Sequence, residues 1–311
     1  MNDIISVLPN EFFDYHSLTQ FQKKINLLEN ANNILNKIKN IKDKEKNLVD
    51  VYKTINYSIE DSNILIHLEG IKLLENICRL VKNFINIQKL KLLLETSFDK
   101  LKDKKSLVKN ELFTLFNMII ENHCFEIDKF ILFILQFCTN QKKENTQVKM
   151  GLLEYIKLLF LQQNNILCFE VKKLKEKDYQ NFIKKIVIII QKETLSFIKD
   201  LCSDLLIIFK KRVEDIDSFY DLITVLPNYR KKIINEEGMG GVEESEYKKN
   251  LKRIKSSYSF SKTKYSGGFR NNNNKGDSRH ERSKSNTRMN NFERNKSSIN
   301  IHSSFSSNKK K

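Results

Sequence analysis

Thiols, imidazoles and carboxylates are the side chains that could do chemistry, and none of them is grouped for it here. The five cysteines Cys78, Cys124, Cys138, Cys168 and Cys202 stand far apart, in odd number and without a C-x-x-C pair. A structural zinc site takes four ligands, commonly in two close pairs. His123–Cys124 is the single adjacent His/Cys pair and has no second pair to match it. The pattern reads as buried thiols in a reducing compartment, with neither a disulfide frame nor a metal centre. No glycine loop fit to cradle phosphate, no glycine-flanked nucleophile and no suitably spaced histidine pair occurs. The acidic runs Glu236-Glu237 and Glu243-Glu244 fall in a stretch of linker composition, where solvated charge accounts for them. No catalytic residue, cofactor or metal is expected, and the chain does not read as an enzyme.

Cations are the one chemical type in excess. The net charge is +17, but residues 251–311 hold 10 Lys and 6 Arg against Asp277, Glu281 and Glu293, a surplus of +13. The first 250 residues therefore carry only +4. Within that part the cations are not random in place. Lys109, Lys149 and Lys199 each stand three residues after a Ser or Thr (Ser106, Thr146, Ser196), and Lys104, Lys105, Lys142 and Lys143 lie just before those positions.

What must position these residues is helical. Only 8 Gly and 2 Pro occur, and six of the glycines fall after residue 237, so the first 235 residues lack the breakers of a turn-rich β fold. Apolar residues recur at spacings of three and four, as in Leu65, Leu68, Ile71, Leu74, Ile77 and Val81. The β-branched run Ile186–Ile190 has no turn residues beside it and reads as a buried helix. Apolar runs such as Phe130–Leu135 are far below the ~20 residues of a membrane helix. No basic-then-apolar leader precedes residue 20, so a cleaved signal peptide is not expected.

The helices repeat. Five of them are expected to open on Ser or Thr as N-cap: Thr19, Ser62, Ser106, Thr146 and Ser196, spaced 43, 44, 40 and 50 residues apart. Further helical segments, Leu48–Ile59, Leu90–Leu101, Ile127–Cys138 and Tyr179–Gln191, precede the last four. Two helices per 40–47 residues is the pattern of HEAT and armadillo arrays, an irregular bundle being the plainer alternative. In such an array the intra-repeat turns line up along one edge. A cation in a helix's first turn opposes the macrodipole at a cost of about 0.3–1 kcal/mol. A stripe of them along one edge points to an acidic, extended partner, with lysine abundance as the competing explanation.

Several motifs, in order, resemble the TOG domains of the XMAP215/Dis1 microtubule-associated family. Val7-Leu8-Pro9-Asn10-Glu11-Phe12-Phe13, then Phe21-Gln22-Lys23-Lys24, resembles the family's first repeat, where a proline-led segment precedes a Trp-x-x-Arg loop. Asp61-Ser62-Asn63-Ile64, Lys102-Asp103-Lys104-Lys105, Asn145-Thr146-Gln147-Val148-Lys149 and Phe197-Ile198-Lys199-Asp200 look like its second to fifth loops. Phe219-Tyr220-Asp221-Leu222, Leu226 and Tyr229 to Ile233 resemble the closing helix. The likeness covers about residues 5–236. It departs at Phe21, where the family has Trp, and at Lys24 and Lys199, where Arg is usual. Phe keeps apolar contact without the indole N–H, and Lys lacks the bidentate fork of Arg.

The repeat and the resemblance imply an all-α solenoid of five to six HEAT-like helix pairs over residues 1–237. Composition, with Gly238, Gly240 and Gly241 and then mostly Ser, Asn, Lys and Arg, marks a linker over 238–250 and a disordered basic tail over 251–311. The resemblance implies a cytoplasmic, cytoskeletal protein that binds αβ-tubulin and microtubules and regulates their dynamics. The tubulin-binding residues would be Phe21, Lys24, Asn63, Ile64, Lys104, Lys105, Lys109, Lys149 and Lys199. In the tail, Lys252, Arg253, Lys255 and Lys309, Lys310 and Lys311 are expected to hold the microtubule lattice, and phosphate on the neighbouring serines would weaken them. A HEAT adaptor that scaffolds other proteins, or RNA binding through the tail, are the alternatives. Nucleic acid is not the expected partner, and no membrane is.

Overall fold

In the computed structural model, residues 4–39, 48–82, 85–103, 105–140, 145–162, 166–229 and 233 are described, all within the compact unit Met1–Ser245. Lys104, Lys142, Lys143, the linker and the tail lie outside the described residues. Four antiparallel helix pairs form the array: α3 (Val49–Glu60) with α4 (Ile64–Val81), α5 (Ile87–Asp99) with α6 (Ser106–Glu121), α7 (Ile127–Thr139) with α8 (Thr146–Leu161), and α10 (Glu176–Lys192) with α11 (Ser196–Lys210). The first repeat is irregular. Its leading helix is reduced to α1 (Ile4–Val7) and two single 3₁₀ turns, Asn10–Phe12, which packs on α2 (Phe21–Lys37), and Tyr15–Ser17, which packs on α3. The short α9 (Ile166–Lys172) lies between α8 and α10 in sequence, and α12 (Ile216–Leu222) closes the array. Among the described residues there is no strand.

The helical segments expected from periodicity are present with ends displaced by no more than three residues, and Ile186, Val187, Ile189 and Ile190 are buried on α10. Two expectations need correcting. The closing helix is not continuous from Phe219 to Ile233: α12 ends at Leu222, the chain turns through Ile223–Val225, and residues 227–229 and 233 are helical again. Nor do the five Ser and Thr residues cap. Ser106, Thr146 and Ser196 are the first residues inside their helices, and the caps stand one position earlier. Asn63 Oδ1 accepts from Leu65 N at 2.9 Å, and Asn145 Oδ1 from Gln147 N and Val148 N at 3.0 and 3.3 Å. An Asn carbonyl can serve two successive free amides of the first turn, which explains its preference at this position.

The second helices stack in sequence, α2 on α4 and α4 on α6, and then α8 on α11, while α3 packs on α5 and α7 on α10. Between α6 and α8 the stacking is interrupted, and α9 touches both helices there. Large aromatics fill this joint. Phe98 lies 5.4 Å from Phe116 and 5.1 Å from Phe137, and Tyr155 lies 5.0 Å from Phe116, all edge-on. Such pairs add about 0.5–1.5 kcal/mol each beyond their area burial. Tyr155 also donates its hydroxyl to Asn117 Oδ1 at 3.1 Å, so the joint is fixed in direction as well as volume.

Candidate functional site: the loop edge

The turns leading into α2, α4, α6, α8 and α11 are tied to one another. Lys24 Nζ reaches Asp61 Oδ2 at 3.1 Å, joining the first turn to the second. Lys100 Nζ donates to the carbonyls of Glu60 and Asp61 at 3.2 and 3.0 Å, joining the third to the second. The turn Lys100–Lys102 packs on α8, where a Cβ on Gly151 would meet the Leu101 side chain at 3.3 Å. Lys149 Nζ reaches Glu193 Oε2 at 3.0 Å, joining the fourth to the fifth. The loops therefore follow one another along a single edge.

The Lys24 and Lys149 ties share one register. Lys24, Lys109, Lys149 and Lys199 are all the fourth residue of their helix, and His67 holds that place in α4. The receiving acid stands two residues before the next helix's cap and works with both oxygens. Asp61 Oδ1 accepts Asn63 N at 2.9 Å while Oδ2 holds Lys24. Glu193 Oε1 accepts Thr194 N at 3.0 Å while Oε2 holds Lys149. One carboxylate thus shapes its own loop and clamps the previous repeat. Lys109 pairs instead with Glu154 on α8, across the joint where stacking is interrupted.

This changes the meaning of the lysine stripe. Lys24, Lys109 and Lys149 are not free cations held against helix preference; each is neutralised inside the domain. The Lys149–Glu193 side chains are only 12% and 9% exposed. Burial alone would raise the Glu193 pKa, but the Lys149 ammonium and the Leu195 and Thr194 amides outweigh it and lower it. Lys24 also sits 5.2 Å above the Tyr15 ring, whose hydroxyl is buried without a hydrogen-bond partner and whose pKa burial and then Asp61 raise. Lys199, the last in the register, is partly exposed and makes no ion pair among the described residues. Lys105 is exposed and gives its backbone N–H to Asp103 Oδ1 at 3.1 Å; Lys104 lies outside the described residues.

Above the ties runs an apolar row. Phe21, Leu65, Leu107 and Phe197 are between 44 and 54% exposed, and Leu195 is exposed beside Phe197. Leu65, Leu107 and Phe197 share the second position of their helices, two residues before the cation register. Phe21 is thus a surface residue of the edge and not a core aromatic. Ile64 is half-buried against the core, and its neighbour Leu65 is the outward residue. Asn63 caps α4 and is partly buried. Leu65 and Leu195 escape a reading of charge alone; the signal for Leu65 is a large apolar residue two places before the register, at a position that the helix turns outward.

The arrangement offers contact rather than reaction. Among the described residues no three His, Cys, Asp or Glu side chains are grouped to hold a metal, and no helix is long and apolar enough to cross a membrane. A groove of about 620 Å³ between α3 and α5, lined by Tyr52, Asn56, Tyr57, Leu92 and Thr96, carries both signs of charge.

No protein-family model and no curated protein matches the sequence. Solved structures do. One comes from work on microtubule plus-end tracking by XMAP215, CLIP-170 and EB1, with a TM-score of 0.56 at 17% identity over 76% of this chain and 91% of that one. A second is from crescerin, described as using a TOG domain array to regulate microtubules in the primary cilium: TM-score 0.57, 11% identity, 75% of this chain and 92% of that one. A third is the MAST/Orbit N-terminal domain, with a TM-score of 0.53 at 14% identity over 71% and 96%. The described residues have the fold of a TOG domain.

Proposed function

We propose that this protein is a non-catalytic microtubule-associated protein whose loop edge binds αβ-tubulin and whose basic tail attaches to the microtubule lattice. The observation that carries the reading is the exposed apolar row Phe21, Leu65, Leu107 and Phe197, held by inter-repeat ion pairs along the edge of a TOG fold. Rows of half-exposed large apolar side chains on an ordered surface mark protein contact sites. Lys199 supplies a cation at one end of the row, suited to an acidic surface. Location in the cytoplasm, on the microtubule cytoskeleton, follows from the same partner.

The decisive experiment mixes the full chain with purified αβ-tubulin and reads complex formation by analytical ultracentrifugation. A complex is expected, weakened by Phe21→Ala. No complex would leave the HEAT adaptor as the better account. Removing residues 251–311 takes +13 of charge with it. It should abolish salt-sensitive co-sedimentation with microtubules and spare binding to free tubulin. Loss of both together would move the tubulin site from the edge to the tail.

A further inference from the structure

Four repeats carry Lys in the fourth position of the second helix, and α4 carries His67. His67 is 3% exposed, and neither Nδ1 nor Nε2 has a well-formed hydrogen bond. The charged groups around it are Lys100, from the turn after α5, Asp61, from the loop before α4, and Asp103, from the loop before α6. Burial and then the Lys100 ammonium lower the imidazole pKa, while the Asp61 backbone and the Asp103 and Asp61 carboxylates partly offset them. Burial and Lys100 thus favour the neutral ring.

The surrounding acceptors are already engaged. The Asp61 carbonyl takes Lys100 Nζ, Oδ2 takes Lys24 Nζ, and Oδ1 takes Asn63 N. Asp103 Oδ1 takes Lys105 N. A proton on His67 adds a further cation to this set, in the first turn of α4 where the helix dipole is also positive. Asp61 and Asp103 are the anions around it, and each of these carboxylates holds the backbone of its own loop, so a new bond to the protonated ring competes with those holds.

We propose that His67 is a proton-sensitive joint in the loop edge: its protonation releases the loops entering α4 and α6 and so displaces Leu65 and Leu107, the middle of the apolar row. The inference concerns the loops themselves and holds whatever partner the edge binds. A folded-state pKa below the unfolded value of about 6.5 means that the unfolded chain takes up the proton first. Stability contributed by neutral His67 is present above that value and is lost as pH falls, by up to tenfold in the folded-to-unfolded ratio per pH unit until the folded-state pKa is reached.

The test is NMR titration of the full chain labelled at histidine carbons and backbone nitrogens, with His67→Gln and His67→Lys as controls. The Lys variant restores the residue of the other repeats and offers Asp103 a cation. In wild type the His67 ring should titrate with a midpoint below 6.5, and the Asn63 and Lys105 amides should move with the same midpoint. Both variants should lose the coupled amide movement. If the ring titrates without the amides, or the amides move at that midpoint in either folded variant, the proposal is overturned.

Discussion

Lys24 and Lys199 occupy the same place at opposite ends of the array, four residues into the second helix of the first and fifth repeats. Lys24 is one-fifth exposed, clamped by Asp61 and stacked on Tyr15. Lys199 has no ion pair among the described residues. The chemistry of the two side chains is identical, and the difference lies in the neighbouring repeat. Asp61 arrives because a second repeat stacks on the first; beyond α11 the described helical residues, α12 and 227–229 and 233, bring no acid into an ion pair with Lys199. In a solenoid the same residue is internal cement wherever another repeat stacks on it and a surface group at the terminus. Terminal repeats are thus where a repeated residue becomes available to a partner.

The largest expected effect breaks an internal tie. Lys149→Ala should strand Glu193, which is 9% exposed, with only its backbone amides for company. Removing one member of a buried pair typically costs about 3–5 kcal/mol; the retained amides should bring this to about 2–3 kcal/mol. Urea unfolding at pH 7 measures it. A group whose folded pKa is lowered contributes stability above its unfolded pKa and loses it as pH falls through the folded one. Wild type should therefore lose this contribution on acidification below the usual Glu value of 4.5, and the variant should not. A loss under about 0.5 kcal/mol at pH 7 would return Lys149 to the set of surface cations.

An intermediate effect separates the apolar row from the ties beneath it. Phe21→Ala should lower tubulin affinity roughly tenfold, as truncation of an apolar anchor does above ~1 kcal/mol. Because Phe21 is 45% exposed, stability should fall by about 1 kcal/mol or less, against about 3–5 for a buried Phe. A drop of the larger size, read by thermal melting, would place Phe21 in the core of the first repeat.

The helices are legible in the sequence because apolar spacing is local, and Ile127–Thr139 opens at the residue that periodicity names. The caps fall one residue away from the Ser and Thr anchors; at residues 62 and 63 Ser and Asn adjoin, and both suit a cap. Asn wins there by accepting from the first turn. The loop edge is legible as a place, but its charge is not. Lys24 and Asp61 are 37 residues apart, and Lys149 and Glu193 are 44 apart. Those separations match the repeat length, so each acid stands about one period after its cation. Local patterns are blind to such pairs, although aligning the repeats on one another would expose them. The α9 segment has no counterpart in the other repeats, so periodicity could not reveal it.

The smallest expected effect tests the unpaired end. Lys199→Glu puts an acid in the first turn of α11, near the free amides of Ser196 and its neighbours. The helix dipole is positive there, so an acid should stabilise and the native cation should not, by about 0.3–1 kcal/mol. No ion pair among the described residues is lost in the exchange. Asp200 and Glu193 stand nearby in sequence, and their repulsion should bring the gain to the lower end. Thermal melting at low ionic strength should show a variant equal to wild type or slightly firmer. Tubulin binding should nevertheless weaken, because the reversed charge would face an acidic surface. A clear loss of stability would mean that Lys199 holds an acid after all, and the contrast with Lys24 would vanish. Unchanged binding by a stable variant would remove the fifth loop from the contact and leave the apolar row to act alone.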